Sequence, residues 1–197
     1  RPSRPTLFPS AVPFQSWGLV AGWVVGLRFW GAVAGGIGAA AIVVRRHGVP
    51  VARFFDAAAP ALLVGQAIGR IGCYFNQELF GRPTNLPWAL EIEPRQRPDG
   101  YETYETFHPT FLYEIVWNLA LFGALLWLER RFRLRPGVIF ALYVAGYSLL
   151  RVFIELLRVD PSARLFGLRL NFYVAAALFL AASMLLLRWR RRGALRP

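Results

Sequence analysis

The sequence has no lysine, only one cysteine and few charged residues of either sign. Charged residues make up 17% of its 197 positions, against about 25% in a typical soluble domain. This shortage, together with 56% hydrophobic residues, excludes an ordinary soluble domain and favours a membrane protein. The single cysteine, Cys73, excludes an intrachain disulfide and a cysteine metal cluster. All 23 basic residues are arginine, for which coding bias is one explanation and bidentate binding of phosphate is another.

Apolar segments divide the chain, each near the roughly 20 residues that a helix needs to cross the hydrocarbon core. The five segments are Trp17–Val44, Phe54–Phe75, Thr110–Leu128, Gly137–Leu157 and Leu170–Leu187. They predict an all-α, polytopic integral membrane helical bundle of about five spans, with residues 1–197 forming a single membrane domain. Because the chain opens with Arg1 and not Met, we expect a processed form or a fragment.

Arginine is concentrated in alternate loops. Residues 45–53 hold three arginines, residues 129–136 hold four and residues 188–197 hold five. With five crossings these loops lie on one side, and the positive-inside rule predicts that this side, including the C-terminus, is cytoplasmic. The same clustering makes anionic membrane lipids a better partner than nucleic acid for the net charge of +12.

The longest polar segment, residues 76–109, separates the second and third spans. It holds three arginines and six acidic residues, which we interpret as a solvated surface, together with several aromatic residues. The segment predicts a small extracytoplasmic cap with short strands. At the opposite end of the second span, Asp56 fits either a helix cap or an ion pair with Arg53.

Several polar side chains lie inside the predicted spans, where a charge costs about 2.5 kcal/mol or more and so needs a reason. On the second span, Gln66 and Arg70 are one turn apart beside several glycines. The fourth span carries a stripe of polar residues at helical spacing, namely Tyr147, Arg151, Glu155 and Arg158. An Arg151–Glu155 ion pair that only locks helices together is one interpretation. An anion site is the other, because guanidinium is in excess and its fork fits phosphate.

Three motifs follow one another along these spans. Residues 69–84 read GRIGCYFNQELFGRPT, residues 108–114 read HPTFLYE and residues 146–158 read GYSLLRVFIELLR. In sequence and order they resemble the motifs of prolipoprotein diacylglyceryl transferases, and the resemblance covers about residues 28–187. It implies a transferase of the bacterial cytoplasmic membrane, with its active site toward the outer leaflet. Such an enzyme moves a diacylglyceryl group from phosphatidylglycerol to the lipobox cysteine thiol of a preprolipoprotein, and it releases glycerol phosphate.

The resemblance also implies roles for individual residues. Arg70 and Arg151 match essential arginines of the family, and Tyr147 matches a further functional position. From the chemistry we expect both arginines to neutralise the phosphate as the substrate thiolate displaces it and Tyr147 to orient the phosphate, with His108 as a candidate base. The remaining positions assigned to substrate binding are Asn76, Glu78, Gly81, Glu155 and Arg158. His108, Tyr113 and Glu114 also fit an interfacial or packing role. No metal or cofactor is expected.

Three features depart from the family pattern. Trp30 stands where many members have a histidine, and Cys73 stands where the signature has asparagine. The family has about seven spans against five predicted here, so we expect that its first two are missing from this sequence. An alternative function is therefore a catalytically impaired relative that binds lipid or lipoprotein. A transporter with an anion path along the arginine stripe would need inverted repeats or broken helices, which the sequence lacks.

Overall fold

The computed structural model describes residues 31, 35–97, 100–159, 164–165, 167–191 and 195–196. The chain divides after Val51 into two compact units, the first of which includes a helical stretch at residues 35–46. Apart from Gly31 and residues 35–44, the predicted span Trp17–Val44 lies outside the described residues, and so does Trp30. The other four predicted spans lie in the second unit.

Four long helices correspond to those four spans: α1 (Val51–Phe75), α2 (Thr110–Arg131), α3 (Val138–Leu157) and α4 (Leu170–Arg191). Each is long and apolar enough to cross a membrane. Large apolar side chains cover their outer surfaces, and Ile68, Val116 and Trp127 are at least 60% exposed. Water would make such a surface a site of aggregation, whereas lipid chains cover it in a bilayer. The prediction of an all-α, polytopic membrane bundle is confirmed.

The apolar core of the second unit lies between α1, α2 and α3. Its central side chains are Ala59, Leu63, Leu125, Ile139 and Tyr143. Gly146 lies at a close approach of α2 to α3, where an added Cβ atom would lie 2.7 Å from a methyl group of Leu121 and that side chain would have to shift. The indole of Trp117 donates a hydrogen bond of 3.0 Å to the Gly146 carbonyl at the same crossing. Helix α4 packs along α3.

Short antiparallel strand pairs join the ends of the helices. Strand β3 (Arg133–Leu134) pairs with β6 (Leu195–Arg196), and β4 (Arg164–Leu165) pairs with β5 (Leu168–Arg169). Because β3 follows α2 and β6 follows α4, the arginine-rich segments after these two helices lie at the same end of the bundle. The predicted topology requires this arrangement.

The described part of residues 76–109 folds over the other end of the bundle around a small core of Phe80, Ile92 and Phe107. Two short strands of the kind predicted there, β1 (Leu90–Glu91) and β2 (Thr106–Phe107), pair antiparallel, and a 3-10 turn at Pro94–Gln96 lies between them in the chain. In the loop between them the N–H groups of Glu102 and Gly100 donate to the Glu102 carboxylate and lower its pKa.

Candidate active site

The side chain of Glu114 on α2 links this helix to both of its neighbours. Its Oε2 atom lies 2.5 Å from Nη2 of Arg70 on α1, and its Oε1 atom lies 3.3 Å from Nη1 of Arg151 on α3. Glu114 is 1% exposed, so the two guanidinium groups replace the water that a carboxylate needs. The two arginines that the sequence predicts to act together therefore lie on either side of one buried carboxylate.

A second buried carboxylate, Glu155, extends the network along α3. Its Oε1 atom pairs with Nη2 of Arg151 one turn earlier and lies 3.9 Å from Nη1 of Arg158. Its Oε2 atom lies 2.9 Å from Nε of Arg169 in β5. The Arg151–Glu155 ion pair foreseen from the sequence is thus present, but as part of a larger network.

Helical periodicity explains why these side chains meet. Buried positions on α2 recur at Thr110, Glu114 and Asn118, which form one stripe at a spacing of four residues. Helices α1 and α3 run in one direction and α2 runs in the other, so the end of α1, the start of α2 and the end of α3 coincide. The arginine network lies at that end, beneath residues 76–109.

Exposure separates the positive from the negative groups of the network. Among the described residues the network joins four arginines to the two buried glutamates. The side chains of Arg70 and Arg151 are 18% and 16% exposed, whereas those of Glu114 and Glu155 are 2% and 0% exposed. An approaching anion therefore meets guanidinium N–H groups and not carboxylate oxygens, and each guanidinium has five such donors.

Tyr147 lies one helical turn from Arg151, in a layer of polar side chains deeper in the bundle. Its ring stacks on that of Tyr143, with centroids 6.1 Å apart and an interplanar angle of 21°. Tyr143 in turn accepts a 2.9 Å hydrogen bond from Nε2 of Gln66, one turn from Arg70 on α1. The layer beneath the arginines is therefore ordered by contacts between α1 and α3.

The thiol of Cys73 contacts the guanidinium group of Arg70, which also pairs with Glu114. Nη1 of Arg70 lies 3.9 Å from the Cys73 sulfur, and the cysteine is buried. Because a thiol is a weak hydrogen-bond acceptor, this contact holds Arg70 less firmly than the amide oxygen of asparagine would.

Past the end of α1, the signature motif continues in a strained turn. Gln77 and Leu79 have φ angles of 49° and 59°, in the left-handed region that side chains other than glycine rarely adopt. Between them Glu78 is exposed, and its carboxylate accepts a 3.2 Å hydrogen bond from Nδ2 of Asn76, which is also exposed. The side-chain oxygen of Gln77 accepts a 2.9 Å hydrogen bond from the N–H of Glu93 and ties the turn to the rest of residues 76–109.

Gly81 occupies a position where a side chain does not fit. A Cβ atom there would lie 2.8 Å from Cβ of His108 and 3.3 Å from the carbonyl oxygen of Leu157. Its N–H donates to the His108 carbonyl at 2.9 Å, and it forms an isolated bridge with Arg158. Gly81 thereby joins residues 76–109 to the end of α3, where the arginine network lies.

His108 belongs to a different group of contacts. Its Nδ1 atom lies 3.0 Å from the hydroxyl of Tyr113, which also accepts a 3.0 Å hydrogen bond from the indole of Trp88. The backbone N–H of His108 donates a 3.0 Å hydrogen bond to the carbonyl of Arg82, so the residue is anchored among residues 76–109 while its ring faces Tyr113. Trp88, Tyr113 and Trp117 line an apolar cavity of about 460 Å³ on the outer face of α2.

Two members of the network were not singled out from the sequence. The sequence allows Glu114 either a packing or a functional role, although a carboxylate in an apolar span is itself a signal. Arg169 lies outside the three motifs, in a segment where arginine is frequent. Only the folded chain shows that both residues contact predicted site residues.

The described residues define a polytopic helical membrane protein with a buried cluster of arginine and glutamate at one end of its bundle. The model of the prolipoprotein diacylglyceryl transferase family matches residues 10–188 of the chain. The chain belongs to this family, as the three motifs predicted.

Similar curated proteins carry the name phosphatidylglycerol–prolipoprotein diacylglyceryl transferase. The one from Cutibacterium acnes is 49% identical over 170 residues, which cover 86% of this chain and 57% of the relative. A second from Streptomyces coelicolor is 49% identical over 160 residues, covering 81% and 50%. A third from Paenarthrobacter aurescens is 49% identical over 189 residues, covering 90% and 59%. The chain thus spans about half the length of the curated relatives it matches.

Proposed function

We propose that this protein transfers a diacylglyceryl group from phosphatidylglycerol to the lipobox cysteine thiol of preprolipoproteins. The family to which the chain belongs and the names of its relatives support this reaction. The observation that carries the proposal is the pair Arg70 and Arg151, which reach one buried carboxylate from two helices while their guanidinium groups stay accessible. Two positive groups in a water-poor site suit the headgroup phosphate of a lipid.

The chemistry is a displacement at the glycerol carbon that bears the phosphate. The thiolate sulfur forms a C–S bond, the C–O bond to phosphate breaks, and its electron pair leaves with the phosphate oxygen. Thioether and glycerol phosphate are the products. Arg70 and Arg151 stabilise the charge that develops on the leaving group, which is most effective where water is excluded.

Other predicted positions take supporting roles in this proposal. Tyr147, one turn from Arg151, orients the lipid, while Asn76 and Glu78 lie exposed on the strained turn above the network. Glu155 holds Arg151 and Arg158, and Gly81 keeps the end of α3 against residues 76–109. His108 is a candidate base for the incoming thiol, whose proton must leave before attack.

The distribution of arginine supports an orientation in the bacterial cytoplasmic membrane. Cytoplasmic loops at residues 129–136 and 188–197 put the C-terminus inside and the arginine network toward the outer leaflet. This is where a translocated signal peptide presents its lipobox cysteine.

The deciding experiment measures lipid transfer to a lipobox peptide by the full-length protein in phosphatidylglycerol vesicles. Arg70→Ala and Arg151→Ala are each expected to lower the rate by about 10²–10³-fold or more while the protein still inserts. Arg95→Ala is the matched control, because Arg95 is exposed in the 3-10 turn and is not one of the network residues. Full activity in both variants would contradict the proposed site. Binding of phosphatidylglycerol by the wild-type protein without thioether product would instead select the impaired lipid-binding relative.

A further inference from the structure

The proposed reaction changes the charge on the phosphate that the arginines hold. Phosphatidylglycerol is a phosphodiester with one negative charge, whereas glycerol phosphate is a monoester with a charge of about −1.5 to −2 at pH 7. Coulomb attraction scales with this charge, so arginines that bind the substrate bind the product more tightly. An active site built only from arginine would retain its own product.

Glu114 is placed to counter that effect. It contacts both Arg70 and Arg151, the two partly exposed guanidinium groups, and it is itself buried. A phosphate on the accessible side of the guanidinium groups would lie opposite a fixed negative charge in a region of low dielectric. Repulsion from that charge acts on every phosphate, but it is about twice as large for a dianion as for a monoanion.

Resting on the proposed function, we infer that Glu114 sets the release of glycerol phosphate by weakening the hold of Arg70 and Arg151 on the doubly charged product. Glu114 is in this sense a positioning residue, since it acts through the two arginines and not on the reacting atoms. Its carboxylate keeps both guanidinium groups oriented and makes the network discriminate less between monoester and diester.

The test compares two soluble probes with the full-length protein in detergent: glycerol phosphate, a monoester, and glycerophosphoglycerol, a diester. In the wild-type protein the inhibition constants of the two probes for lipid transfer are expected to agree within about threefold. In Glu114→Gln the neutral amide keeps the shape of the side chain, and glycerol phosphate is expected to bind roughly tenfold more tightly relative to the diester. The same variant should show a lower KM for phosphatidylglycerol and a lower kcat, because tighter retention of glycerol phosphate slows product release.

Glu129→Gln is the matched control, because Glu129 is an exposed glutamate at the opposite end of the same helix. It should leave the ratio of the two inhibition constants unchanged. A merely structural role of Glu114 would weaken both probes alike, and an unchanged ratio in Glu114→Gln overturns the inference. If that variant does not fold, the wild-type ratio decides, since glycerol phosphate binding more than tenfold tighter than the diester contradicts a compensating carboxylate. Absence of lipid transfer by the wild-type protein would contradict the proposed function. The relative affinity for glycerol phosphate and the diester can also be measured by direct binding, and it tests the inference about Glu114 separately.

Discussion

The carboxylate of Asp56 on α1 accepts a 2.6 Å hydrogen bond from the backbone N–H of Gly137, 81 residues further along the chain. Its second oxygen accepts another, of 2.8 Å, from the N–H of Phe140. Gly137 is the N-cap residue of α3 and has no side chain with which to cap it. Asp56 therefore caps α3 from a neighbouring helix, and the negative charge also favours the helix dipole.

Replacing Asp56 by alanine tests how much this cap between two helices contributes to stability. Asp56→Ala leaves two N–H groups at the start of α3 without their acceptor and is expected to lower the free energy of unfolding by about 1–2 kcal/mol. Asp56→Asn should retain most of that stability, because asparagine caps helices nearly as well as aspartate. Thermal unfolding of the purified protein in detergent measures both variants. Equal stability of Asp56→Ala and the wild-type protein would show that the contact contributes nothing.

The fit around Gly81 makes a second prediction. Gly81→Ala puts a methyl group against Cβ of His108 and a backbone carbonyl, which cannot move without shifting the end of α3. We expect a loss of about 1–3 kcal/mol in stability and a matching loss of lipid transfer. Gly123→Ala in α2 is the control, since its Cβ atom would meet nothing within 4 Å. A Gly81→Ala protein as stable and active as this control would disprove the tight packing.

The hydrogen bond between Gln66 and Tyr143 links α1 to α3 beneath the arginines. Gln66→Leu and Tyr143→Phe, alone and combined, form a double-mutant cycle for this 2.9 Å contact. Interhelical hydrogen bonds in membrane proteins contribute about 0.6 kcal/mol on average, so we expect a coupling energy of that order, measured from unfolding in detergent. Strictly additive effects of the two substitutions would mean that the bond adds no stability.

The single cysteine offers a fourth prediction. The sulfur of Cys73 touches Arg70 at 3.9 Å and is a weak acceptor, and the attacking thiol of the proposed reaction belongs to the substrate. Cys73→Ala is therefore expected to retain lipid transfer within a few-fold of the wild-type rate. Thiol-specific alkylation of the intact protein should be slow, because the side chain is buried. Complete loss of transfer in Cys73→Ala would assign the thiol a direct role.

Much of the architecture was predictable because membrane spans are encoded locally. A run of about 20 apolar residues satisfies its backbone hydrogen bonds in hydrocarbon by forming a helix. The hydropathy of the sequence therefore predicts four spans with bounds close to those observed. The polar stripe from Tyr147 to Arg158 was equally predictable, since residues three and four apart share a helix face. The family followed from the motifs and is confirmed.

Contacts between helices were less predictable. The sequence indicated that Arg70 and Arg151 act on one anion, but nothing in it showed that Glu114 lies between them. For Asp56 the sequence allowed a helix cap or an ion pair with Arg53, and only the structure shows that it is a cap and that the helix it caps is α3. Such pairings depend on the relative rotation and depth of neighbouring helices, which the pattern of a single helix does not contain.

The amino-acid sequence alone determined the class of protein, four of its described helices, the family and the surplus of arginine at membrane depth. Each of these depends on local composition or on a continuous motif. Tertiary structure alone decided that two glutamates are buried within the arginine network while two guanidinium groups remain accessible. The physical reason is that the ion pairs inside the bundle join side chains from different helices. Those side chains are far apart in the chain and come into contact only when the helices pack together.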